Sequence, residues 1–188
     1  MKKIRAFIAI LLPSQVQNLL GNVTYGWSEQ IPERSVRWVK PQLMHITLRF
    51  LGDTDVKSIP ELVQVLDSVT SQQDSLTLEL GKPGCFPNTK RPRVIWVGLQ
   101  GQLNAAQTLK KTIDEALVPL GWELENRSFQ PHLTVGRVKD SRKVKGYRWE
   151  AEIDPLPIPV QLVHLIESKL QRDGPIYTVR HKSFLRDR

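Results

Sequence analysis

Two short stretches constrain this chain more than any other feature: MHITLRF at 44–50 and PHLTVGR at 131–137. In the first, Met44, Ile46, Leu48 and Phe50 alternate with His45, Thr47 and Arg49. Successive side chains along a β-strand point to opposite faces, so this alternation describes a strand with one apolar face and one face carrying histidine and threonine. The second stretch repeats the pair as His132 and Thr134, 87 positions on (132 − 45 = 87). Four His and ten Thr in 188 residues would give only about 0.2 His-x-Thr matches if shuffled, so two copies among apolar strand neighbours are a signal. A chain built this way has to present two equivalent strands, which points to an internal duplication.

The remaining sequence supplies similar parts to each half. Residues 4–12 read as a buried strand, and Pro13 or Ser14 opens a helix with Val16, Leu19, Leu20 and Val23 at helical spacing. A loop over 26–34, a short strand at 36–39 and the first His-Thr strand at 43–51 follow. Asp53 or Asp55 is placed to cap a helix over 56–72, where Ile59, Leu62, Val63, Leu66 and Val69 mark one apolar face. Next come a strand at 76–80, a loop at 83–92, a strand at 93–99 and a helix over 103–120 stopped by Gly121. The second His-Thr strand occupies 131–138, with two more strands near 158–170 and 175–180. Strands in pairs separated by helices favour an α+β fold with mainly antiparallel sheets. The expected architecture is one domain over 1–188, an internally duplicated fold with flanking helices and one motif in each half (45–48 and 132–135).

Composition narrows the class. At 40% hydrophobic and 24% charged, the chain matches an ordinary folded domain. No apolar run reaches the length of a membrane-spanning helix. The opening MKKIRAFIAILLP resembles a signal peptide only superficially: its apolar run is short and ends at Pro13 without a cleavage pattern. The single cysteine, Cys85, can form neither an internal disulfide nor a cysteine-rich zinc site, and it lacks a catalytic signature. A cytoplasmic protein without membrane association, acting as a monomer, is expected. The net charge of +8 favours a polyanionic partner, nucleic acid first. Two basic segments sharpen that expectation: TKRPR at 89–93, and KDSRKVKGYR at 139–148 directly after the second His-Thr strand.

Two histidines and two threonines together suit acid–base chemistry at phosphorus. Histidine titrates near neutrality, so one imidazole can accept a proton while the other donates one. Threonine hydroxyls can donate hydrogen bonds to phosphoryl oxygens. A metal site is the rival use of paired histidines, but it needs a third ligand, and no H-E-x-x-H or comparable spacing occurs. Neither a G-x-G-x-x-G nor a G-x-x-x-x-G-K-[ST] loop is present, so no metal or cofactor is expected. His164 and His181 have no partner at a telling spacing and read as structural.

The segments HITLRFLGD (45–53) and FQPHLTVGR (129–137) closely resemble the two H-x-T-x motifs of the two-histidine phosphoesterases. With RAFIAILLP (5–13), RWVKPQLMHITLRFLGD (37–53), RVIWVGL (93–99) and ESKLQRDGPIY (167–177), they resemble the RNA 2',3'-cyclic phosphodiesterase branch, also called 2'-5' RNA ligase. The resemblance spans nearly the whole chain. It implies a bilobal, pseudo-twofold α+β fold with the site in a central cleft between the lobes, and hydrolysis of RNA 2',3'-cyclic phosphate ends to 2'-phosphomonoesters without metal. It further implies His45 as proton donor to the leaving 3'-oxygen, His132 as the base that activates water, and Thr47 and Thr134 as holders of the nonbridging oxygens. Ligation would be the reverse reaction. Arg137 matches an arginine that often follows the second motif and is a candidate phosphate contact; strict alternation turns it away from His132 unless a bulge at Gly136 re-aims it. Alternation also places Arg49 on the His45 face, but family members vary there and it is left out of the site. Trp38 and Tyr177 could stack on a base, although each reads more naturally as a core or rim aromatic. The alternatives are an enzyme of small cyclic nucleotides or 2'-5' oligonucleotides, and an RNA-binding module without turnover.

Overall fold

The computed structural model describes residues 2–125, 128–172 and 174–187. Its strands are β1 (Lys3–Leu11), β2 (Val36–Trp38), β3 (His45–Asp55), β4 (Leu76–Phe86), β5 (Val94–Gly101), β6 (His132–Val138), β7 (Pro157–Val160), β8 (Leu162–Gln171) and β9 (Gly174–Phe184). The helices are α1 (Ser14–Ser28), α2 (Ile59–Thr70) and α3 (Leu103–Leu117). All pairings between these strands are antiparallel, and the order is β7-β4-β5-β6-β3-β1-β8-β9, with β2 also on β6. The α+β expectation holds, and the His-Thr strands β3 and β6 are the two central neighbours.

Helix faces explain why one side of this sheet is covered. Val16, Leu20, Thr24 and Trp27 are buried along α1, Leu62, Leu66 and Val69 along α2, and Ala106, Leu109, Ile113 and Leu117 along α3. Steps of three and four residues align these side chains into stripes. They join Ile8, Ile10, Ile46, Leu48, Leu78, Ile95, Val97, Leu133 and Val135 from the strands in one apolar core. Truncating one such Leu or Ile to Ala typically costs about 2–5 kcal/mol. Among the described residues the other face keeps a small buried cluster of Phe7, Ala9 and Ile166, flanked by Leu11 and Tyr177. The same face carries His45 and Thr47, because Leu11 and Ala9 stand directly opposite them across β1 and β3.

Several boundaries differ from the sequence reading. Helix α1 runs on through Gly26 to Ser28, since Trp27 is buried and its indole N–H donates to the Glu150 carbonyl (3.1 Å). Strand β4 continues across the expected loop to Phe86, absorbing an irregularity between Leu80 and Pro83. The expected strand at 158–170 is two strands broken at Gln161. Asp55, one of the two cap candidates, accepts from the Lys57 amide (3.1 Å) at a single turn of 3₁₀ helix before α2.

The seam between β3 and β6 is narrow. Ile46 pairs with Leu133, and β2 takes over beside β6 further along, pairing Val36, Arg37 and Trp38 with Val138, Arg137 and Gly136. Gly136 makes that approach possible: a Cβ there would lie 2.9 Å from both Trp38 and Val36 side chains.

Candidate active site

The antiparallel pairing of Ile46 with Leu133 fixes the relation between the motifs. Extending that register one residue each way sets His45 opposite Thr134 and Thr47 opposite His132. All four side chains therefore share the open face, related by a local twofold axis through the Ile46–Leu133 pair.

The likeness extends to the hydrogen bonds. His45 Nδ1–H donates to the Leu43 carbonyl (2.8 Å), and His132 Nδ1–H donates to the Gln130 carbonyl (2.7 Å). A carbonyl only accepts, so Nδ1 carries the proton in both rings and Nε2 is left as the reactive nitrogen. Both rings are walled by aromatics. His45 lies 4.8 Å from Phe7 and 5.4 Å, edge-on, from Tyr177. His132 lies edge-on to Phe86 at 5.3 Å and to Trp96 at 6.4 Å. Phe7, Phe86 and Trp96 are site residues that sequence reasoning missed. A Cβ at Gly84 would come within 2.5 Å of the Trp96 ring, so a glycine is what lets that ring lie flat on β4.

A bulge follows each motif at the same step. Opposite β1, Leu48 is the extra residue between Thr47 and Arg49; opposite β5, Val135 is the extra residue between Thr134 and Gly136. The burial patterns over 45–50 and 132–137 are identical: half-buried, buried, half-buried, buried, buried, exposed. A bulge reverses alternation beyond it. Arg137 is thereby turned onto the open face with His132 and Thr134, as the candidate bulge near Gly136 required. Its equivalent in the first half is Phe50, which is exposed and stands 6.1 Å from Phe7.

Arg49 is the correction that follows. Simple alternation put it beside His45; the bulge turns it into the core, 6% exposed. There Nη1 lies 3.5 Å from both Asp114 Oδ1 and Glu125 Oε1, and Nη2 donates to the Glu123 carbonyl. Lys110 pairs with the same two carboxylates. Together with the Trp122 indole N–H, which donates to the Leu51 carbonyl (3.0 Å), this cluster pins the segment after α3 onto β3. Trp38 is also placed away from the site: it packs with Trp27 and Trp149 on the helix-covered side. Tyr177 stays at the site.

Burial lowers the His45 pKa below the ordinary imidazole value; the Leu43 hydrogen bond opposes this and the Arg137 charge adds to it. Burial pushes the Tyr177 hydroxyl up, against the opposing charges of Arg137 and Arg5, so it stays a proton donor. Arg137 in β6 is thus felt by His45 of the other half and by Tyr177 beside it. Burial also raises the half-buried Cys85 thiol, which disfavours a thiolate nucleophile. His181 Nε2 lies 2.8 Å from Asp67 Oδ1, and His164 is buried on β8, as their structural reading expected. Among the described residues no three His, Cys, Asp or Glu side chains gather as a metal-binding group, and no helix is long and apolar enough to cross a membrane.

A sheet that brings two His-Thr strands together on one open face defines a two-histidine phosphoesterase. The chain belongs to the LigT-like phosphoesterase family, whose model matches residues 10–96 and again 97–177, one His-Thr strand in each match. It is 32% identical to the RNA 2',3'-cyclic phosphodiesterase of Methanocaldococcus jannaschii, over 93% of this chain and 97% of that protein. It is likewise 32% identical to the enzyme of the same name from Aeropyrum pernix, over 76% and 82%. Among solved structures, a Thermus thermophilus protein superposes with a TM-score of 0.81 at 26% identity, covering 97% of this chain and 98% of that one. Escherichia coli LigT bound to 3'-AMP shares the fold, with a TM-score of 0.76 at 24% identity over 98% and 99%.

Proposed function

We propose that this protein hydrolyses 2',3'-cyclic phosphate ends of RNA to 2'-phosphomonoesters, without a metal ion. The observation that carries the reading is the matched pair of histidines, each fixed through Nδ1–H to a backbone carbonyl two residues earlier, with Nε2 free on one open face. In the reaction, His132 Nε2 takes a proton from water as the water oxygen attacks phosphorus. The bond from phosphorus to O3' breaks, and His45 gives its Nε2 proton to that oxygen. Thr47 and Thr134 donate to the nonbridging oxygens, and Arg137 balances their charge. Ligation uses the same groups, with an RNA 5'-hydroxyl in place of water opening the ring to a 2'-5' linkage. The names borne by the relatives support the substrate class. Residues 1–188 act as one bilobal unit, each half supplying one His-Thr strand, so a monomer suffices. The single cysteine supports a reducing, cytoplasmic setting.

The opposite proton assignment has one observation in its favour: burial lowers the His45 pKa below the ordinary imidazole value, which suits a base. A phosphate anion beside His45 favours its charged form and so works against the burial that lowers its pKa, and the family pattern assigns His45 the acid role. A bridging 3'-sulfur separates the two, because a thiolate leaves without a proton. His45→Ala should regain activity on that substrate and His132→Ala should not; the reverse rescue exchanges the roles. The function itself is tested with EDTA and an oligoribonucleotide ending in a 2',3'-cyclic phosphate. A 2'-phosphate product supports the reading. An unchanged end on RNA that still binds points to a binding module.

A further inference from the structure

The pairing of β2 with β6 sets Arg37 directly opposite Arg137. Directly opposed residues of an antiparallel pair share a face, with Cα atoms about 4.5–5.5 Å apart. Val36 and Trp38 point into the core, against Gly136, so Arg37 points the other way, to the open face. Both arginines are exposed, and neither forms an ion pair among the described residues. Like charges directly opposite each other destabilise a sheet. Two uncompensated guanidiniums at such a position are the pattern of an anion subsite.

The surroundings extend it. The Val138 amide donates to the Arg93 carbonyl and the Lys139 amide to the Ser35 carbonyl, so the basic segments 89–93 and 139–148 begin where this arginine pair ends. The Gly146 amide donates to the Thr89 carbonyl (2.9 Å), tying the two segments together. Their Lys90, Arg91, Arg93, Lys139, Lys143 and Lys145 are all exposed.

We infer that Arg37 binds the phosphodiester on the 5' side of the terminal nucleotide, next to the phosphate that Arg137 contacts, and so makes the site prefer RNA over a cyclic mononucleotide. The inference rests on the phosphodiesterase reading above. The reacting phosphate uses His45, His132, the threonines and Arg137. The next phosphate along the chain meets Arg37, and later ones follow the tied basic segments, which contribute charge without reading sequence.

The test compares uridine 2',3'-cyclic phosphate, the dinucleotide UpU with the same cyclic end, and a ten-nucleotide RNA with that end. In the wild type, kcat/KM should rise about tenfold or more from mononucleotide to dinucleotide. Arg37→Gln should cut that ratio by about tenfold, chiefly through KM. The ten-nucleotide substrate should keep a strong salt dependence in both proteins. A ratio unchanged by Arg37→Gln, or no length preference in the wild type, overturns the inference. If the wild type cleaves none of the three, the phosphodiesterase reading fails, and fluorescence anisotropy with 2'-phosphate-ended UpU judges the subsite alone. Binding weakened by Arg37→Gln then upholds the anion subsite, and equal binding rejects it.

Discussion

Replacing Arg49 with Met removes a cation whose side chain is 7% exposed and lies 3.5 Å from an equally buried Asp114 carboxylate. At that separation and an effective dielectric of about 20, the Coulomb attraction is about 4.7 kcal/mol before desolvation is counted. Desolvation cancels much of it in the intact pair, but removing one partner leaves the other charge stranded, which typically costs about 3–5 kcal/mol. Lys110 still reaches Asp114 and Glu125, so the lower end of that range is expected for Arg49→Met. In a protein of this size about 1 kcal/mol shifts the melting temperature by roughly 2–4 °C, giving a fall of about 6–12 °C. Urea melts of Arg49→Met, Asp114→Leu and the double variant form a cycle whose coupling should be at least about 1 kcal/mol. A loss below about 1 kcal/mol for Arg49→Met, with strictly additive single variants, would show that the buried cluster does not hold the segment after α3.

Other outcomes follow from the same geometry. His45→Ala and His132→Ala should each lower kcat by about 10²–10⁴-fold on cyclic-phosphate RNA with the fold intact; activity within about threefold of wild type refutes two-histidine catalysis. Thr47→Val should cost less than either; a dead but folded variant would move the proton chemistry onto Thr47. Gly84→Ala places a Cβ 2.5 Å from the Trp96 ring and should destabilise by about 1–3 kcal/mol and slow turnover by displacing the His132 wall; urea melts and steady-state rates check both. Burial lowers the pKa of His45 and of His164, so between each lowered value and the ordinary 6.5 the unfolded chain holds more protons than the native one. Stability should therefore be full above pH 6.5 and fall as pH drops below it; a flat thermal midpoint from pH 7.5 to 5.5 contradicts this.

The His-Thr strands, the helices and their apolar stripes were legible because period-2 and period-3.6 patterns are local properties. What alternation could not carry was the bulge. Reading β3 as a regular strand put Arg49 on the His45 face and Phe50 on the apolar one, and one extra residue at Leu48 exchanged them. The same device at Val135 restored Arg137, where Gly136 had hinted at an irregularity. Phe86 was hidden because Pro83, Gly84 and Pro87 read as a loop, whereas the long partner strand β5 carried β4 through all but Pro87. Arg37 was invisible for another reason: its significance lies in which residue faces it across a sheet, and no sequence spacing encodes that register.

The exchange of Arg137 for Phe50 between equivalent positions has a consequence for direction. A scaffold with twofold symmetry receives a ligand equally well in either of two opposed orientations. An RNA cyclic-phosphate end, whose ring oxygens O2' and O3' are inequivalent, is productive in only one. On the proposed reading, the inverted pose sets a charged phosphate against the Phe50 ring and leaves the guanidinium empty-handed. A charge-assisted hydrogen bond is worth about 1.5–3 kcal/mol, so one substitution in a duplicated frame biases the pose by roughly 10–100-fold. That broken equivalence turns a palindromic surface into one with a head and a tail.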